Sequence, residues 1–267
     1  MNNKTILITG STDGIGKLAA LKLAEMGHHI ILHGRSPEKL SNVKKEIESL
    51  TGNTHISGYL ADFAILDEVR SMADQMIEDQ LTIDVLVNNA GVFKVANPIG
   101  EDELDVRLVV NYLAPVILTN ALLPILQKGK GSRIINLSSA AQDTVSAQFM
   151  EKNSNLSDNQ AYAQSKLALL MWSFDLAVKY PSLTTIALNP GSLLNTKMAK
   201  EAYGKFWSPA DKGADIIIDL AINGNSADKS GQYFDNDSGR FSTAHPDAYQ
   251  NHKIEALITK TYEILEM

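Results

Sequence analysis

The sequence predicts an α/β fold: a single domain over residues 1–267, built on a doubly wound parallel sheet with helices on both faces. Three observations predict it. Short aliphatic runs, too apolar for strands buried on one side only, alternate with longer segments of helical period. A glycine-rich turn, Gly10-x3-Gly14-x-Gly16, joins the first run to the first helical segment. Later runs end in small turns, Asn88-Asn89-Ala90-Gly91, Ser138-Ser139 and Asn189-Pro190-Gly191, and the carboxyl edge of an open parallel sheet is where ligands bind.

In chain order, Ile6–Ile8 reads as a strand buried on both faces. After Thr9 the turn runs through Gly10, Ser11, Thr12, Asp13, Gly14, Ile15 and Gly16. Leu18, Ala19, Leu21, Leu23 and Ala24 then keep helical spacing up to Gly27, a C-cap. Strand, glycine turn and helix together aim helix N-terminal amides at a phosphate, and glycines let the backbone approach a diphosphate closely. A second strand over 29–33 ends at Gly34-Arg35-Ser36-Pro37. An acid there would bind a ribose 2′-hydroxyl. Arg35 stands there instead, beside the Ser36 hydroxyl, and a guanidinium fork matches a 2′-phosphate. The reading is NADP(H); the bland alternative is a solvated arginine ahead of a helix. Asp13 opposes it mildly, since an acid near the phosphates does nothing for added negative charge.

A helix over about 37–50 leads to a strand near 54–60. Asp62, followed by Phe63, bonds an adenine amine or caps the helix whose face includes Ile65, Leu66 and Val69; the two are compatible. A strand over 83–87 ends in the Asn88–Gly91 turn, and a long helical run over 101–128 carries Asn111. Arg133–Leu137 closes on Ser138-Ser139, and residues 140–160 form a polar excursion beside the site. Tyr162-x3-Lys166 opens an apolar helix to about Lys179. A strand over 183–188, an irregular or briefly helical segment over 192–207 and a helix capped by Ser208 with Pro209 first come next. A strand over 232–234 and a helix over 246–265 end the chain.

The bulk composition narrows the function classes. With 44% hydrophobic and 21% charged residues, the 267-residue chain matches an average soluble protein, and no stretch reads as a run of ~20 apolar residues. The first strand begins almost at once, so no signal peptide is expected. A net charge of −7 argues against nucleic acid. With no cysteine there is no disulfide and no thiolate chemistry, which suits the cytoplasm. The six histidines show no metal-ligand spacing and read as structural or exposed.

Tyr162 and Lys166 lie four apart and share a helix face. Tyrosine alone, with a pKa of about 10, is a poor proton carrier near neutrality. A neighbouring ammonium stabilises the phenolate, so the pair can protonate a forming alkoxide or deprotonate an alcohol. Ser139 can hold the substrate oxygen as charge develops. A second such pair, Tyr249 and Lys253, is assigned to the surface of the last helix.

The ordered motifs resemble those of the short-chain dehydrogenase/reductase family over nearly the whole chain. They are Thr9-Gly10-x3-Gly14-Ile15-Gly16, Asp62, Asn88-Asn89-Ala90-Gly91, Asn111, Ser139, Tyr162-x3-Lys166 and Pro190-Gly191. The resemblance implies a single-domain Rossmann-type fold, with Tyr162 as acid/base and Ser139, the second of the paired serines, positioning the carbonyl. It implies that Lys166 holds the nicotinamide ribose and lowers the tyrosine pKa, and that Asn111 anchors the lysine through water and completes a proton relay. Asn89, Ala90, Gly91, Pro190, Gly191 and Thr196 join the glycine turn, Arg35, Ser36, Asp62, Phe63, Tyr162 and Lys166 as cofactor contacts. Thr196 stands one residue later than the family's usual threonine. Tyr162-Ala-Gln-Ser-Lys-Leu-Ala168, Arg35 and the long gap from Ser139 to Tyr162 resemble the retinol dehydrogenase-like branch of NADP(H) carbonyl reductases. The membrane anchor of many of those proteins is not expected here, so a retinoid substrate is not implied.

The expected activity is hydride transfer between NADP(H) and a carbonyl or secondary alcohol, acting on a small-molecule substrate. Phe149, Met150, Met198, Phe206 and Trp207 suggest an apolar pocket for an aldehyde or ketone, or they pack the loops against the domain. The rival readings are an NAD(H)-linked alcohol dehydrogenase and a non-catalytic cofactor-binding regulator. The apolar helices over 101–128 and 160–179 offer a homo-oligomer interface, as the resemblance suggests.

Overall fold

The computed structural model describes residues 3–129, 131–223 and 228–267. One sheet of eight strands runs in the order β3-β2-β1-β4-β5-β6-β7-β8. Seven strands are parallel: β1 (Thr5–Ile8), β2 (His29–Gly34), β3 (Ile56–Leu60), β4 (Val85–Asn88), β5 (Arg133–Leu137), β6 (Thr184–Asn189) and β7 (Gln232–Asp235). β8 (Arg240–Ser242) returns antiparallel to β7. Strand order reverses between β1 and β4, and there a crevice opens at the carboxyl ends.

Strand side chains alternate between faces, so each aliphatic run feeds two cores. Ile6 and Ile8 pack with α1 (Gly14–Glu25), α2 (Pro37–Thr51) and α8 (Ala210–Ile222). Leu7 packs on the other face with α3 (Leu66–Glu78), α5 (Ala114–Leu126) and α6 (Asp158–Lys179). The predicted two-sided burial is therefore met, at strand ends shifted by one or two residues.

Several local expectations differ from what folds. The run expected over 101–128 starts only at α4 (Val106–Leu108), where the Asp105 carboxylate caps the Arg107 N–H at 2.8 Å. It passes through a π-helical turn, Val109–Leu113, into α5. Pro115 has no N–H to return to the Asn111 carbonyl four residues back, and a wider turn accommodates that. Val106–Leu126 is long and apolar enough by composition to cross a membrane, contrary to the sequence reading, but 78% of the window is buried, which marks a core helix.

The excursion over 140–160 contains a 3-10 turn at Gln148–Met150, and α6 begins before Tyr162, at Asp158, behind a Ser157–Gln160 capping box. The segment over 192–207 folds α7 (Lys197–Tyr203), capped by Thr196. Ser208 does not cap α8; it bridges to Leu194, and Pro209 takes the N-cap position with no side-chain bond. The chain ends in a 3-10 turn at Pro246–Tyr249 and α9 (Asn251–Leu265). Leu257, Ile258 and Leu265 of α9 join the α5–α6 core, and the Tyr112 hydroxyl pairs with Thr261 Oγ1 at 2.7 Å. Part of the α6 surface and Tyr112 thus pack against α9.

Candidate active site

The glycine turn and the Asn88–Gly91 turn are fastened to each other. Thr9 Oγ1 accepts the N–H groups of Asn89 and Ala90, each at 2.9 Å. The Asn89 amide donates back to the Thr9 and Gly10 carbonyls at 2.7 and 3.1 Å. Gly10 sits at φ +64°, and a Cβ there would lie 2.8 Å from Ala90 Cα, so only glycine lets the two turns close. Asp13 caps the Gly14 N–H at 2.8 Å. The N–H groups of Ile15 and Gly16 lie in the first turn of α1, which has no intrahelical partner for them. This cradle of close-packed glycines at a helix N-terminus fits a dinucleotide diphosphate. Ser11 Oγ accepts the His33 N–H of β2 at 2.9 Å, the half-buried Ile15 side chain lies against Gly213, and the Phe63 ring stacks on His33.

His33 supports this floor, a role the sequence reading missed. Its Nδ1 accepts the Gly10 N–H at 3.0 Å, so the ring proton sits on Nε2, which donates to the Ala61 carbonyl at 3.1 Å. Burial pushes its pKa down to about 4, outweighing the Ala61 carbonyl and Asp62. A base with a depressed folded pKa gives stability that is complete above the unfolded value of 6.5 and is lost as pH falls toward 4. The unfolding free energy from urea titration is expected to drop over that window by up to about 3 kcal/mol, and His33→Gln is expected to flatten the slope there.

Arg35 and Asp62 meet at the outer edge of the crevice, with Arg35 Nη1 3.6 Å from Asp62 Oδ2. The Arg35 side chain is 72% exposed, so its fork faces solvent above the end of β2. Ser36 Oγ caps α2 through the Lys39 N–H at 3.3 Å. Asp62 caps a local turn through the Ala64 N–H at 3.0 Å, and the N-cap of α3 is Ile65; the expected helix cap at Asp62 is corrected to that turn.

The catalytic candidates converge at the end of β5. Lys166 is buried, and its ammonium donates to the Leu137 carbonyl at 2.8 Å. Burial lowers its pKa to about 8. Its Nζ lies 5.7 Å from the centre of the Tyr162 ring, against which Phe93 packs edge-on at 4.8 Å. Asn111 is held by Val92 (N–H to Oδ1 at 2.8 Å, Nδ2 to the carbonyl at 3.0 Å) and donates to Ser165 Oγ at 2.9 Å. A Cβ on Gly91 would lie 3.3 Å from both Asn111 Oδ1 and Lys166 Nζ, so that glycine is where the two side chains meet. Ser138 Oγ is buried on the Lys166 carbonyl at 2.8 Å, whereas Ser139 is partly exposed. The Ser139 carbonyl is gripped by Gln142 Nε2 at 2.9 Å and the Tyr233 hydroxyl at 3.2 Å, neither of which the sequence reading named.

The Pro190-Gly191 turn closes the crevice from the far side. Asn236 Nδ2 donates to the Pro190 carbonyl at 2.9 Å, and Asp237 accepts the Ser192 N–H at 2.9 Å. Thr196 comes within 3.8 Å of where a Cβ on Gly14 would stand, so its late position in sequence still brings it to the glycine turn. The apolar lining expected from five residues is reduced: Phe149 and Met150 are buried in the core. Phe206 and Trp207 are exposed, with Lys200 and Lys205 over their rings. The second tyrosine–lysine pair lies outside the site, with Tyr249 half exposed and Lys253 paired to Asp247 at 2.7 Å. Among the described residues no His, Asp and Glu cluster is arranged to hold a metal. A groove of about 980 Å³ between the start of α3, residues 101–104, residues 150–152 and the end of α9 contains none of the catalytic or cofactor-binding candidates.

Comparison with known proteins identifies the family. The sequence model of the short chain dehydrogenase family matches residues 4–205. Human retinol dehydrogenase 13 is 34% identical over 252 residues, covering 87% of this chain and 76% of its own. A Streptomyces protein assigned as the daunorubicin C-13 ketoreductase DnrU is 32% identical over 228 residues, covering 82% and 78%. A protein assigned to the short chain dehydrogenases from Escherichia coli CFT073, solved with NADPH, superposes with a TM-score of 0.73 at 27% identity, covering 88% of this chain and 97% of its own. The chain belongs to the short-chain dehydrogenase/reductase family of oxidoreductases, on its retinol dehydrogenase-like side.

Proposed function

We propose that the protein is an NADP(H)-dependent carbonyl reductase that acts on a hydrophobic aldehyde or ketone. The observation that carries this reading is the convergence of Asn111 and Lys166 on Gly91, one helical turn from Tyr162. When bound, the cofactor supplies hydride from C4 of its nicotinamide to the carbonyl carbon. Tyr162 holds the carbonyl oxygen and gives it a proton as the alkoxide forms, which leaves a phenolate. The Lys166 ammonium stabilises that phenolate and binds the nicotinamide ribose. Ser139 donates to the same oxygen while its charge grows, and Asn111 anchors the water through which the proton is restored. The glycine turn from Gly10 to Gly16, Asn89–Gly91, Pro190, Gly191 and Thr196 hold the rest of the cofactor. Arg35 and Ser36 take its 2′-phosphate, and Asp62 and the Phe63 backbone flank its adenine. Support comes from the exposed Arg35 fork and the NADPH complex of the Escherichia coli relative. The ketoreductase relative favours a carbonyl substrate.

A second reading, an NAD(H)-linked alcohol dehydrogenase, has one observation in its favour: the Asp62 carboxylate beside Arg35. Nicotinamide fluorescence titration of the wild type and Arg35→Ala separates the two. NADPH is expected to bind at least about tenfold tighter than NADH, and Arg35→Ala to erase the difference, as for loss of one charge-assisted contact. Equal affinities in the wild type would overturn the NADP(H) assignment in favour of NAD(H).

A further inference from the structure

The two helices that carry the catalytic candidates are joined at a second place. Arg107 is completely buried. Its Nε and Nη2 donate to the two oxygens of Asp105 at 2.8 and 2.7 Å, a side-on fork. Asp105 is itself buried and also caps the Arg107 N–H, so the guanidinium is fixed in direction by its own helix start. The remaining arm, Nη1, donates to Asp158, the first residue of α6.

The spacing gives this contact its meaning. Arg107 and Asn111 are four residues apart on one helical run; Asp158, Tyr162 and Lys166 follow at intervals of four on α6. Residues so spaced share a face. The two helices are therefore fastened twice, by Arg107 to Asp158 at the first turn of α6 and by Asn111 to Ser165 two turns on, at 2.9 Å. Tyr162 lies between the fasteners. A side chain held at one point can swing with the rotation of its helix; held above and below, it cannot.

We propose that Arg107 is a positioning residue, which through Asp158 sets the rotation of the first turns of α6 and so presents Tyr162 to the substrate oxygen. The inference rests on the acid/base role of Tyr162 proposed above. Placement errors of about an ångström cost up to roughly a hundredfold in rate, so a slack first turn lowers turnover while leaving the glycine cradle, two strands away, unchanged.

The test uses the full chain, NADPH and para-nitrobenzaldehyde, with kcat normalised to NADPH-binding sites. Asp158→Ala and Arg107→Lys are each expected to lower kcat at least about tenfold while the NADPH Kd stays within about twofold. In a Tyr162→Phe background the same changes are expected to lower the residual rate no further, because a residue acting through Tyr162 has nothing left to position. Asp158 is half exposed, so its variant reports even where a buried Arg107 variant fails to fold. A normal kcat in Asp158→Ala, or an equal loss in both backgrounds, overturns the positioning role. Near-wild-type turnover in Tyr162→Phe alone would instead overturn the acid/base assignment.

Discussion

Tyr162→Phe is expected to lower kcat for carbonyl reduction by between about a hundredfold and ten-thousandfold, roughly 3–5 kcal/mol of barrier, while NADPH binds within a few-fold of wild type. The loss is of that size because the phenol is the proton donor, whereas the ring keeps its contacts with Phe93 and Lys166 when the oxygen is removed. The same experiment separates an enzyme from a non-catalytic cofactor-binding regulator, which would show no turnover to lose. The pH dependence has a predicted sign. Lys166 is charged below its pKa of about 8 and loses its ammonium above it, so support for the phenolate fades as pH rises. The reductive kcat/KM of the wild type is therefore expected to fall above about pH 8; a profile flat to pH 10 would contradict the Lys166 role.

Gly16→Ala is expected to destabilise the protein by about 2–4 kcal/mol and to weaken NADPH at least tenfold. By helix propensity alone the sign would be opposite, since alanine is favoured over glycine in a helix by about 1 kcal/mol. Position decides it. A Cβ at Gly16 would stand 2.8 Å from the Gly10 carbonyl oxygen and overlap Asn89 Nδ2. The Asn89 amide holds the Thr9 and Gly10 carbonyls, so moving it unfastens the two turns that form the cofactor floor. For a chain of this length the thermal midpoint is expected to fall by roughly 5–10 °C, measurable by calorimetry. An unchanged midpoint with unchanged NADPH affinity would mean the turns are not coupled in this way.

Legibility in the sequence followed the physics of each feature. The sheet was readable because buried parallel strands have a strong local signature, and the order of Gly10, Asn111, Ser139, Tyr162 and Lys166 survives without any long-range knowledge. The structure brings Asn111 and Lys166 together at Gly91, which no spacing could have said. β8 was not legible: Arg240, Phe241 and Ser242 are too few to show a period, and the strand exists because β7 offers an edge. The π turn was hidden in an apolar helix, although Pro115 four residues after Asn111 was a usable signal. Phe149 and Met150 looked like pocket lining because apolar residues in a polar loop have two destinations, and here they reach the core. Arg107 was missed for the opposite reason. A charged residue beside an apolar run reads as surface, and only the tertiary fold reveals that Asp105 and Asp158 meet it.

The C-terminal helix has a consequence for how the protein responds to dilution. The fifteen residues of α9 supply apolar cover for α6 and Tyr112 from within the same chain. A cover tethered to the same chain forms by a unimolecular step, so its occupancy has no concentration term. The packing of α9 on α6 and Tyr112 is therefore a contribution to the helices carrying Asn111, Tyr162 and Lys166 that carries no dependence on protein concentration.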